Sequence, residues 1–464
     1  MSTTLDILPK DFVARMQAQL GDTFEDFAAS ISKEEQPTTL RTNPLKKFTI
    51  PETWKKIPWC KNGYYLPERP EFVKDPHIFA GAYYVQEASS MFLQHALEQT
   101  ADLTAPLRVL DLCAAPGGKS TLVNSLLNEN SYLISNELVR KRLNALSENI
   151  VRWGAPNILA TNNNPQDFED LKEFFDIAVI DAPCSGEGMF RKDYKARAQW
   201  SEHLVKSCAH TQRSILTSIA DTVKPGGLLV YSTCTFSMDE NEKNVQWLME
   251  NYPFQSVRIP IDASWQIEET QFQAEQYGYR FYFHQTEGEG FFLSCLRKEE
   301  HGFKPPKIKL SKKKKQAEKF KPFPKKYLNH LKKWVKDSEK HFYVMQGDQL
   351  WALPPFLQED FKLLQHKLNI ELAGIEVGKF KNEKLIPSHH LAMSPLGHED
   401  LPSVELDYEQ AISYLRRAEF SLDTSGKQGW FQVSYQGNTL GWIKVLSNRI
   451  NNYYPMDWRI RKEI

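Results

Sequence analysis

The sequence predicts an α/β protein built around a mostly parallel β-sheet with helices on both faces, with a smaller domain on each side of it. Strand and helix signals alternate from Leu107 onward, which is the pattern of a parallel sheet. Residues 109–120 form an apolar run that ends in an acid and opens into a glycine turn, as a buried strand entering a helix does. At 464 residues the chain is too long for one ordinary domain, and its length suggests roughly three.

The composition is that of a globular protein, with 41% apolar and 25% charged residues. The formal net charge is +0, so contact with nucleic acid would need a local basic patch. Residues 301–340 supply one, with fifteen lysines and three acidic residues. The six cysteines contain no C-x-x-C pair, which argues against a zinc ribbon or a redox motif. We therefore expect free thiols and no metal.

The amino terminus carries neither the basic region nor the apolar run of a secretory signal, and no segment is long enough to span a bilayer. We expect a cytoplasmic protein without a membrane partner. Residues 9–20 and 22–31 have the apolar spacing of two short amphipathic helices. A small mixed domain is expected to follow. Gln86, Ser89 and Ser90 either face a cleft or cap the next helix, and both readings stay open.

Five core strands are predicted, at residues 107–112, 132–136, 157–161, 177–181 and 228–232. The intervening helices include residues 138–151 and 201–223. The second of these begins at the cap residue Ser201 and is expected to stop at Pro225-Gly226-Gly227. Residues 279–284 and 290–296 are expected to form a closing hairpin.

Polar groups follow each of these strands, and ligands of open α/β sheets bind beyond the carboxyl ends of the strands. In strand order the groups are Gly117-Gly118-Lys119, Glu137, Asn162-Asn163-Asn164, the run 181–188, and Thr233-Cys234-Thr235. A carboxylate at the end of the second strand can accept hydrogen bonds from both hydroxyls of a ribose. Glu137 is therefore a candidate for that contact.

The glycine turn does not match the usual phosphate-binding motifs. A phosphate loop needs glycine five residues before the Gly-Lys pair, where this chain has Cys113, and the pattern G-x-G-x-x-G is absent. What remains is the form of a methyl-donor site that wraps the amino-acid part of S-adenosylmethionine. The alternative is an ordinary strand-to-helix turn.

Two cysteines are placed for chemistry, because Cys184 and Cys234 lie on tight turns just beyond strands. For Cys60, Cys208 and Cys295 we expect the commonest fate of a free cysteine, which is a small buried hydrophobe. A thiolate is a soft nucleophile that can add to carbon 6 of a cytosine and so activate carbon 5 for methylation. Two adjacent thiols can divide attack and release between them.

Three motifs resemble the signatures of the Sun-domain RNA cytosine-C5 methyltransferases. They are Leu112-Cys-Ala-Ala-Pro-Gly-Gly-Lys119, Asp181-Ala-Pro-Cys-Ser-Gly-Glu-Gly188 and Tyr231-Ser-Thr-Cys-Thr-Phe236. The resemblance covers roughly residues 81–298. It implies a Rossmann-like class I methyltransferase core with a mostly parallel seven-stranded sheet, and S-adenosylmethionine as the methyl donor.

The resemblance also implies a role for each matching residue. Cys234 would be the nucleophile, Cys184 would aid product release, and Asp181 and Lys119 would touch the target base. The implied donor contacts are Cys113, Ala114, Ala115, Pro116, Gly117, Gly118, Lys119, Glu137 and Asp181. After the third strand the family usually has an acid near the adenine, where this chain has Asn164. An amide can still bind the adenine amino group.

Both ends of the chain resemble one bacterial branch of that family, the RsmF type, which modifies 16S ribosomal RNA. The matching segments are residues 8–16, 441–444, 451–455 and 458–460. The resemblance implies a small N-terminal α+β domain and a C-terminal β-rich PUA-like RNA-binding region. A hairpin over residues 429–445 with a Gly437-Asn438 turn fits this region. Its expected basic edge is formed by Arg449, Arg459, Arg461 and Lys462.

We therefore expect a docking region at 1–100, the methyltransferase core at 101–299, a basic linker at 300–326 and an RNA-binding region at 327–464. The lysine-rich segment 304–324 is either a solvated tether or a phosphate contact, and we favour the contact. The expected partner of a monomeric enzyme is ribosomal RNA or the small ribosomal subunit. Two alternatives are the same chemistry on transfer RNA and a non-catalytic ribosome-assembly factor that binds RNA. The intact Cys184, Cys234 and Asp181 argue against the second.

Overall fold

The computed structural model describes residues 7–32, 37–273, 275–300, 319–381, 384–423 and 426–462. The N-terminal elements are α1 (Lys10–Leu20), α2 (Phe24–Ile31), β1 (Thr38–Thr42), β2 (Lys55–Lys56), β3 (Gly63–Leu66), α3 (Pro76–Phe79), β4 (Tyr83–Val85) and α4 (Phe92–Thr100). The four strands form an antiparallel sheet in the order β2-β3-β1-β4. The helices α1 and α2 bury Phe12, Met16 and Phe27 against aromatic residues of the core, among them Phe190 and Phe236.

The core is an α/β domain. Its elements are β5 (Arg108–Asp111), α5 (Gly118–Leu126), β6 (Tyr132–Asn136), α6 (Arg140–Trp153), β7 (Ile158–Thr161), β8 (Phe175–Asp181), α7 (Tyr194–Gln199), α8 (Glu202–Ala220), β9 (Val223–Thr233), α9 (Glu242–Asn251), β10 (Phe254–Val257), β11 (Glu268–Gln271), β12 (Tyr277–Phe281) and β13 (Phe291–Lys298). Strands β5 to β9 are parallel to one another, and the antiparallel β13 lies beside β9. The predicted fold class and the closing hairpin are confirmed.

Two further sheets follow the core. The elements of this part of the chain are β14 (Lys321–Pro322), β15 (Phe342–Gln346), β16 (Gln349–Leu353), α10 (Gln358–Lys367), β17 (Ile370–Ala373), β18 (Ile375–Lys381), β19 (Lys384–Pro387), α11 (His389–Met393), β20 (Ser403–Glu405), α12 (Tyr408–Arg416), β21 (Gly429–Tyr435), β22 (Asn438–Val445) and β23 (Ile450–Asn452). One sheet has the order β14-β15-β16-β18-β19, and the other has the order β20-β21-β22-β23.

The central sheet is larger than the seven strands that the resemblance implied. Its order is β11-β12-β13-β9-β8-β5-β6-β7-β17, with β10 also paired to β13, which makes ten strands. The last strand in this order, β17, comes from the C-terminal part of the chain and pairs antiparallel with β7. The sheet therefore extends beyond the core in sequence.

Two local predictions were wrong. The long core helix ends at Ala220, and Pro225 lies inside β9, where the register with β8 is irregular. A proline, which has no N–H to donate, is tolerated at such an irregularity. In the final hairpin the turn is Gln436-Gly437, both with positive φ, and Asn438 already pairs with Tyr435. The turn lies one residue earlier than expected because its second position needs a positive φ, which glycine adopts without strain.

Several aromatic residues after the linker serve packing, since Trp334, Tyr343 and Trp351 are buried. Most of the lysine-rich segment predicted at 304–324 lies outside the described residues. Within the part of the chain that the structure describes, no helix has the length and apolarity needed to cross a membrane. The same residues contain no cluster of three histidine, cysteine or acidic side chains suited to a metal ion.

Candidate active site

The predicted polar groups meet at one edge of the central sheet. Because β9, β8, β5, β6 and β7 are consecutive neighbours, the segments that follow them lie side by side. The two cysteine turns follow β8 and β9, the glycine turn follows β5, and Glu137 and the asparagines follow β6 and β7. The sheet order therefore places the thiols at one side of the glycine turn and Glu137 at the other.

The two thiols are in direct contact. Sγ of Cys184 lies 3.2 Å from Sγ of Cys234, although fifty positions separate them in the chain. Their strands are in register, with Asp181 opposite Ser232, and the N–H of Gly188 donates to the carbonyl oxygen of Cys234 at 2.8 Å. At this distance one thiol can donate its S–H to the other sulfur.

The surroundings of the pair distinguish the two sulfurs. The hydrogen bond with Cys234, together with burial, raises the pKa of Cys184 well above its usual range. The pair can therefore hold one negative charge but not two. The ammonium of Lys119 interacts electrostatically with Cys234.

Lys119 and Asp181 form an ion pair beside the thiols, with Nζ 2.9 Å from Oδ2. The hydroxyl of Ser232 donates to the other carboxylate oxygen at 2.9 Å. Burial lowers the pKa of Lys119, but the carboxylates of Asp181 and Asp111 outweigh burial, and the net pKa is raised. Lys119 therefore stays charged, and the pair presents both a cation and an anion to a ligand.

Glu240 joins the two cysteine turns, and sequence reasoning missed it. Its carboxylate accepts the N–H of Ser185 at 2.9 Å, the hydroxyl of Ser185 at 2.5 Å and the amide of Gln212 at 3.0 Å. The hydroxyl of Thr235, on the other turn, lies 3.3 Å away. Burial raises the pKa of Glu240 to about 7, and the nearby Glu187 adds to the effect.

Glu187 is a second buried acid that the sequence did not identify. It accepts the N–H of Phe236 at 3.0 Å and the indole N–H of Trp200 at 2.8 Å, and it pairs with the guanidinium of Arg15 at 2.7 Å. Arg15 belongs to α1. The N-terminal helix is thereby tied to the segments that carry both thiols.

The glycine turn after β5 is held by its neighbours. Gly117 has φ +114°, in the left-handed region, and a Cβ there would come within 3.2 Å of Leu146. The carbonyl oxygens of Ala115 and Pro116 accept hydrogen bonds from Arg142 at 2.7 Å and Asn149 at 2.8 Å, respectively. Arg142 and Asn149 are seven residues apart on α6 and therefore lie on the same face of that helix.

Two carboxylates beside this turn have buried oxygen atoms without hydrogen-bond partners among the described residues. Oε2 of Glu137 is one, although the guanidinium of Arg142 lies 3.3 Å away, and Oδ1 of Asp111 is the other. Burial raises the pKa of Asp111 to about 7. Such oxygens fit a ligand that brings its own hydroxyl or ammonium donors, as S-adenosylmethionine does. Leu138 (52% exposed) and Val139 (48% exposed) follow Glu137 directly.

The remaining predicted donor contacts lie around the same turn. Burial raises the pKa of Cys113, so its sulfur stays a neutral thiol. Asn164, the predicted adenine contact, is exposed, and its N–H donates to Asp167 at 2.9 Å. Asn163 is buried instead, and Asn162 donates to the carbonyl oxygen of Glu137 at 2.7 Å. Asp167 is therefore an acid at this edge of the sheet that was not among the predicted donor contacts.

Comparison with known proteins assigns family models to most of the chain. Residues 99–297 match the model described as 16S rRNA methyltransferase RsmB/F. Residues 8–88 match the N-terminal domain of 16S rRNA methyltransferase RsmF, and residues 401–460 match the methyltransferase RsmF PUA domain. Residues 298–400 lie between the range of the RsmB/F model and that of the PUA domain.

Individual relatives match over nearly the full length. The ribosomal RNA small subunit methyltransferase F of Aeromonas salmonicida is 31% identical, with 97% of both chains covered. The protein of the same name from Escherichia coli (strain K12) is 29% identical, covering 97% of this chain and 96% of its own. A crystal structure of a methyltransferase homolog protein from Pyrococcus horikoshii is 26% identical, with a TM-score of 0.53. It covers 64% of this chain and 99% of that one.

Proposed function

The chain belongs to the family of ribosomal RNA small subunit methyltransferase F, S-adenosylmethionine-dependent enzymes, and we propose that it methylates carbon 5 of a cytosine in 16S ribosomal RNA. The observation that carries this proposal is the pair of thiols, 3.2 Å apart beside the Lys119–Asp181 ion pair. Carbon 5 of cytosine is too weak a nucleophile to react with a methyl sulfonium directly. A thiolate that adds to carbon 6 removes this obstacle.

Cys234 is the proposed nucleophile, because the ammonium of Lys119 interacts electrostatically with this residue and so favours its thiolate. Its thiolate forms a bond to carbon 6, and the electron pair of the C5–C6 double bond moves to carbon 5. Bound S-adenosylmethionine supplies an electrophilic methyl group. The ammonium of Lys119 and the carboxylate of Asp181 match a cytosine edge, which offers acceptor atoms and an amino donor.

Release requires the reverse changes at the same carbons. A base takes the proton from carbon 5, the C5–C6 double bond re-forms, and the bond to Sγ of Cys234 breaks. The S–H of Cys184 is placed to stabilise the departing thiolate, since the two sulfurs are within hydrogen-bonding distance. We therefore assign product release to Cys184.

The donor side follows from the same edge of the sheet. The backbone from Cys113 to Gly118 and the side chain of Lys119 would enclose the amino-acid part of the donor. Oε2 of Glu137 would accept from the ribose hydroxyls, since it is buried and has no hydrogen-bond partner among the described residues. The exposed Leu138 would pack against the adenine, and Asn164 or Asp167 would accept from its amino group.

Methyl transfer from labelled S-adenosylmethionine to unmodified 16S ribosomal RNA tests this function. We expect transfer by the wild type and none by Cys234→Ala, because the variant lacks the sulfur to which we assign the bond to carbon 6. Cys208→Ala is the matched control, since that thiol lies on α8 and belongs to neither cysteine turn. Transfer RNA serves as the competing substrate. Full activity of Cys234→Ala would contradict the assignment of the nucleophile.

The expected boundaries at 100, 299 and 326, the monomeric state and the cytoplasmic location remain parts of this proposal. A PUA domain at residues 401–460 supports an RNA-docking role for the C-terminal region. Light scattering of the purified protein tests the monomer. The assembly-factor alternative predicts RNA binding without turnover, so the same methyl-transfer assay distinguishes it.

A further inference from the structure

A cavity of about 1320 Å³ lies between the N-terminal sheet and the segment that follows Cys184. Strands β1, β3 and β4 and the residues next to them form one wall, and residues 191–197 form the other. The turn at residues 287–289 also lines the cavity. The lining includes Thr39, Leu66, Gln86, Arg191, Lys192 and Tyr194.

The cavity adjoins both halves of the active site. On the donor side it is lined by Gln86, whose side chain packs on Gly118, since a Cβ placed on Gly118 would lie 3.5 Å from Cδ of Gln86. On the thiol side its wall begins three residues after Gly188, whose N–H binds the carbonyl oxygen of Cys234. A chain lying in this cavity could therefore continue towards the sulfurs.

Most acidic groups of the lining are already engaged by the protein. The carboxylate of Glu87 accepts the N–H groups of Ser89 and Glu289, each at 2.8 Å. Glu289 pairs with Arg191, and Glu287 pairs with Lys55 at 3.0 Å.

The cations are less engaged. Lys192 and Arg69 are exposed and form no ion pair with any other residue that the structure describes. The exposed Glu68, next to Arg69, is the acid of the lining that remains. Lys192 and Arg69 are thus the exposed cations of the lining that are available to a phosphate.

Tyr194 supplies an aromatic surface beside these cations. Its side chain is 74% exposed, so the ring is accessible to a ligand. The guanidinium of Arg197 lies 4.8 Å from the ring centroid, and Lys192 and Lys195 on either side of it in sequence are exposed. An exposed ring with cations around it is the arrangement that binds unpaired bases and their phosphates.

We propose that this cavity binds the single-stranded nucleotides that adjoin the target cytosine, with a base stacked on Tyr194 and phosphates near Lys192 and Arg69. The proposal rests on the proposed function, since it extends the RNA site away from the reacting base. Stacking is tolerant of sequence because every base has a π face. The cavity therefore adds affinity and holds the strand, while the choice of cytosine is made elsewhere.

The test compares Tyr194→Ala, Tyr194→Phe and Lys192→Ala with the wild type. Lys172→Ala is the matched control, because Lys172 is an exposed lysine located before β8 begins, at the opposite edge of the sheet. Two quantities are measured: the affinity for a short fluorescent single-stranded RNA over a range of salt concentrations, and the KM for unmodified 16S ribosomal RNA. Calorimetry with S-adenosylmethionine reports on folding of each variant.

We expect Tyr194→Ala to weaken RNA binding and raise KM by about tenfold, as for the loss of one stacked base. Tyr194→Phe keeps the ring and should bind like the wild type. Lys192→Ala should lower the slope of log affinity against log salt by about 0.7, as for one phosphate contact on a single strand. The donor affinity should not change in any variant.

The proposal is overturned if Tyr194→Ala and Lys192→Ala bind RNA as tightly as Lys172→Ala does, with the wild-type salt slope. This outcome differs from a failure of the proposed function, in which the wild type itself transfers no methyl group to ribosomal RNA. The binding measurement does not depend on turnover. It therefore decides the role of the cavity in either case.

Discussion

Glu240 holds the thiols in place through Ser185, the residue next to Cys184. In Glu240→Ala the buried N–H of Ser185 loses its acceptor, which costs about 1–3 kcal/mol for one orphaned donor. Gln212 is less affected, because its amide also donates to Pro183 at 2.9 Å. We expect this variant to lose both stability and methyl transfer, since the turn that carries Cys184 loses its anchor.

Glu240→Gln separates the charge of this residue from its shape. The side-chain oxygen that remains can still accept the N–H of Ser185, and the new amide can donate to the Ser185 or Thr235 hydroxyl. Most activity should therefore be retained. In the wild type the pKa in the fold is about 7, above the value of an unfolded glutamate, so folding favours the protonated carboxyl. That contribution is complete below about pH 4.5 and is lost as the pH rises to about 7.

The expected size of this pH effect is about 3 kcal/mol over the whole interval, or up to about 1.4 kcal/mol per pH unit. Relative to the wild type, Glu240→Gln should therefore gain stability as the pH increases from 5 to 7. The pKa of Asp111 is also raised, but Asp111 is present in both proteins, so its contribution cancels in the difference between their stabilities.

Urea unfolding of both proteins at several pH values measures this difference. Glu250→Gln is the matched control, because Glu250 is an exposed residue of α9 and its substitution should leave the pH dependence unchanged. A constant gap between Glu240→Gln and the wild type from pH 5 to 7 would refute the reasoning. It would mean that the carboxyl is already ionised in the folded protein at pH 5.

Three further predictions concern the two sides of the site. Cys184→Ala should form the RNA adduct and release it about 10² to 10⁴ times more slowly, so a protein–RNA band should persist on denaturing gels, and its absence would refute the assigned role. Glu137→Gln should weaken S-adenosylmethionine binding by about tenfold or more in calorimetry, because a charged acceptor is lost; an unchanged Kd would contradict the ribose contact. Arg15→Met leaves the Glu187 carboxylate buried without its cation, so thermal unfolding should begin at lower temperature, and a wild-type melting curve would count against that ion pair.

The sheet and the edge that holds the candidate site could be predicted because they follow from local sequence patterns. Strand β6 spans Tyr132–Asn136, as the apolar run indicated, and the parallel order of β5 to β9 follows from the alternation of strands and helices. The convergence of Cys184 and Cys234 follows from that order, since both turns leave the same edge of the sheet. These inferences need only the period of the hydrophobic residues and the rule that ligands bind beyond the strand ends.

Glu187 and Glu240 could not be identified in the same way. An acid in a polar loop looks the same in the sequence whether it is solvated or buried. What buries Glu187 is the docking of α1 and the ring of Trp200, and what buries Glu240 is contact with α8 through Gln212. Both contacts join segments that are distant in sequence, so no local pattern reports them.

The pairing of β17 with β7 also joins segments that are distant in sequence, so no local pattern predicts it. It places the C-terminal region beside the candidate donor site. The N–H of Asn369, just before β17, donates to the side chain of Asn163, and its carbonyl oxygen accepts the N–H of Asn162. Asn162 in turn holds the carbonyl oxygen of Glu137.

The donor edge is thus braced from the C-terminal side, and the thiol edge is braced from the N-terminal side by the contact of Arg15 with Glu187. The C-terminal region contacts the donor half of the site, so substitutions at that contact should mainly affect donor binding. The N-terminal helix α1 contacts the thiol half, so substitutions at that contact should mainly affect the chemistry at sulfur. Both flanking regions are therefore structural supports of the residues to which we assign donor binding and catalysis.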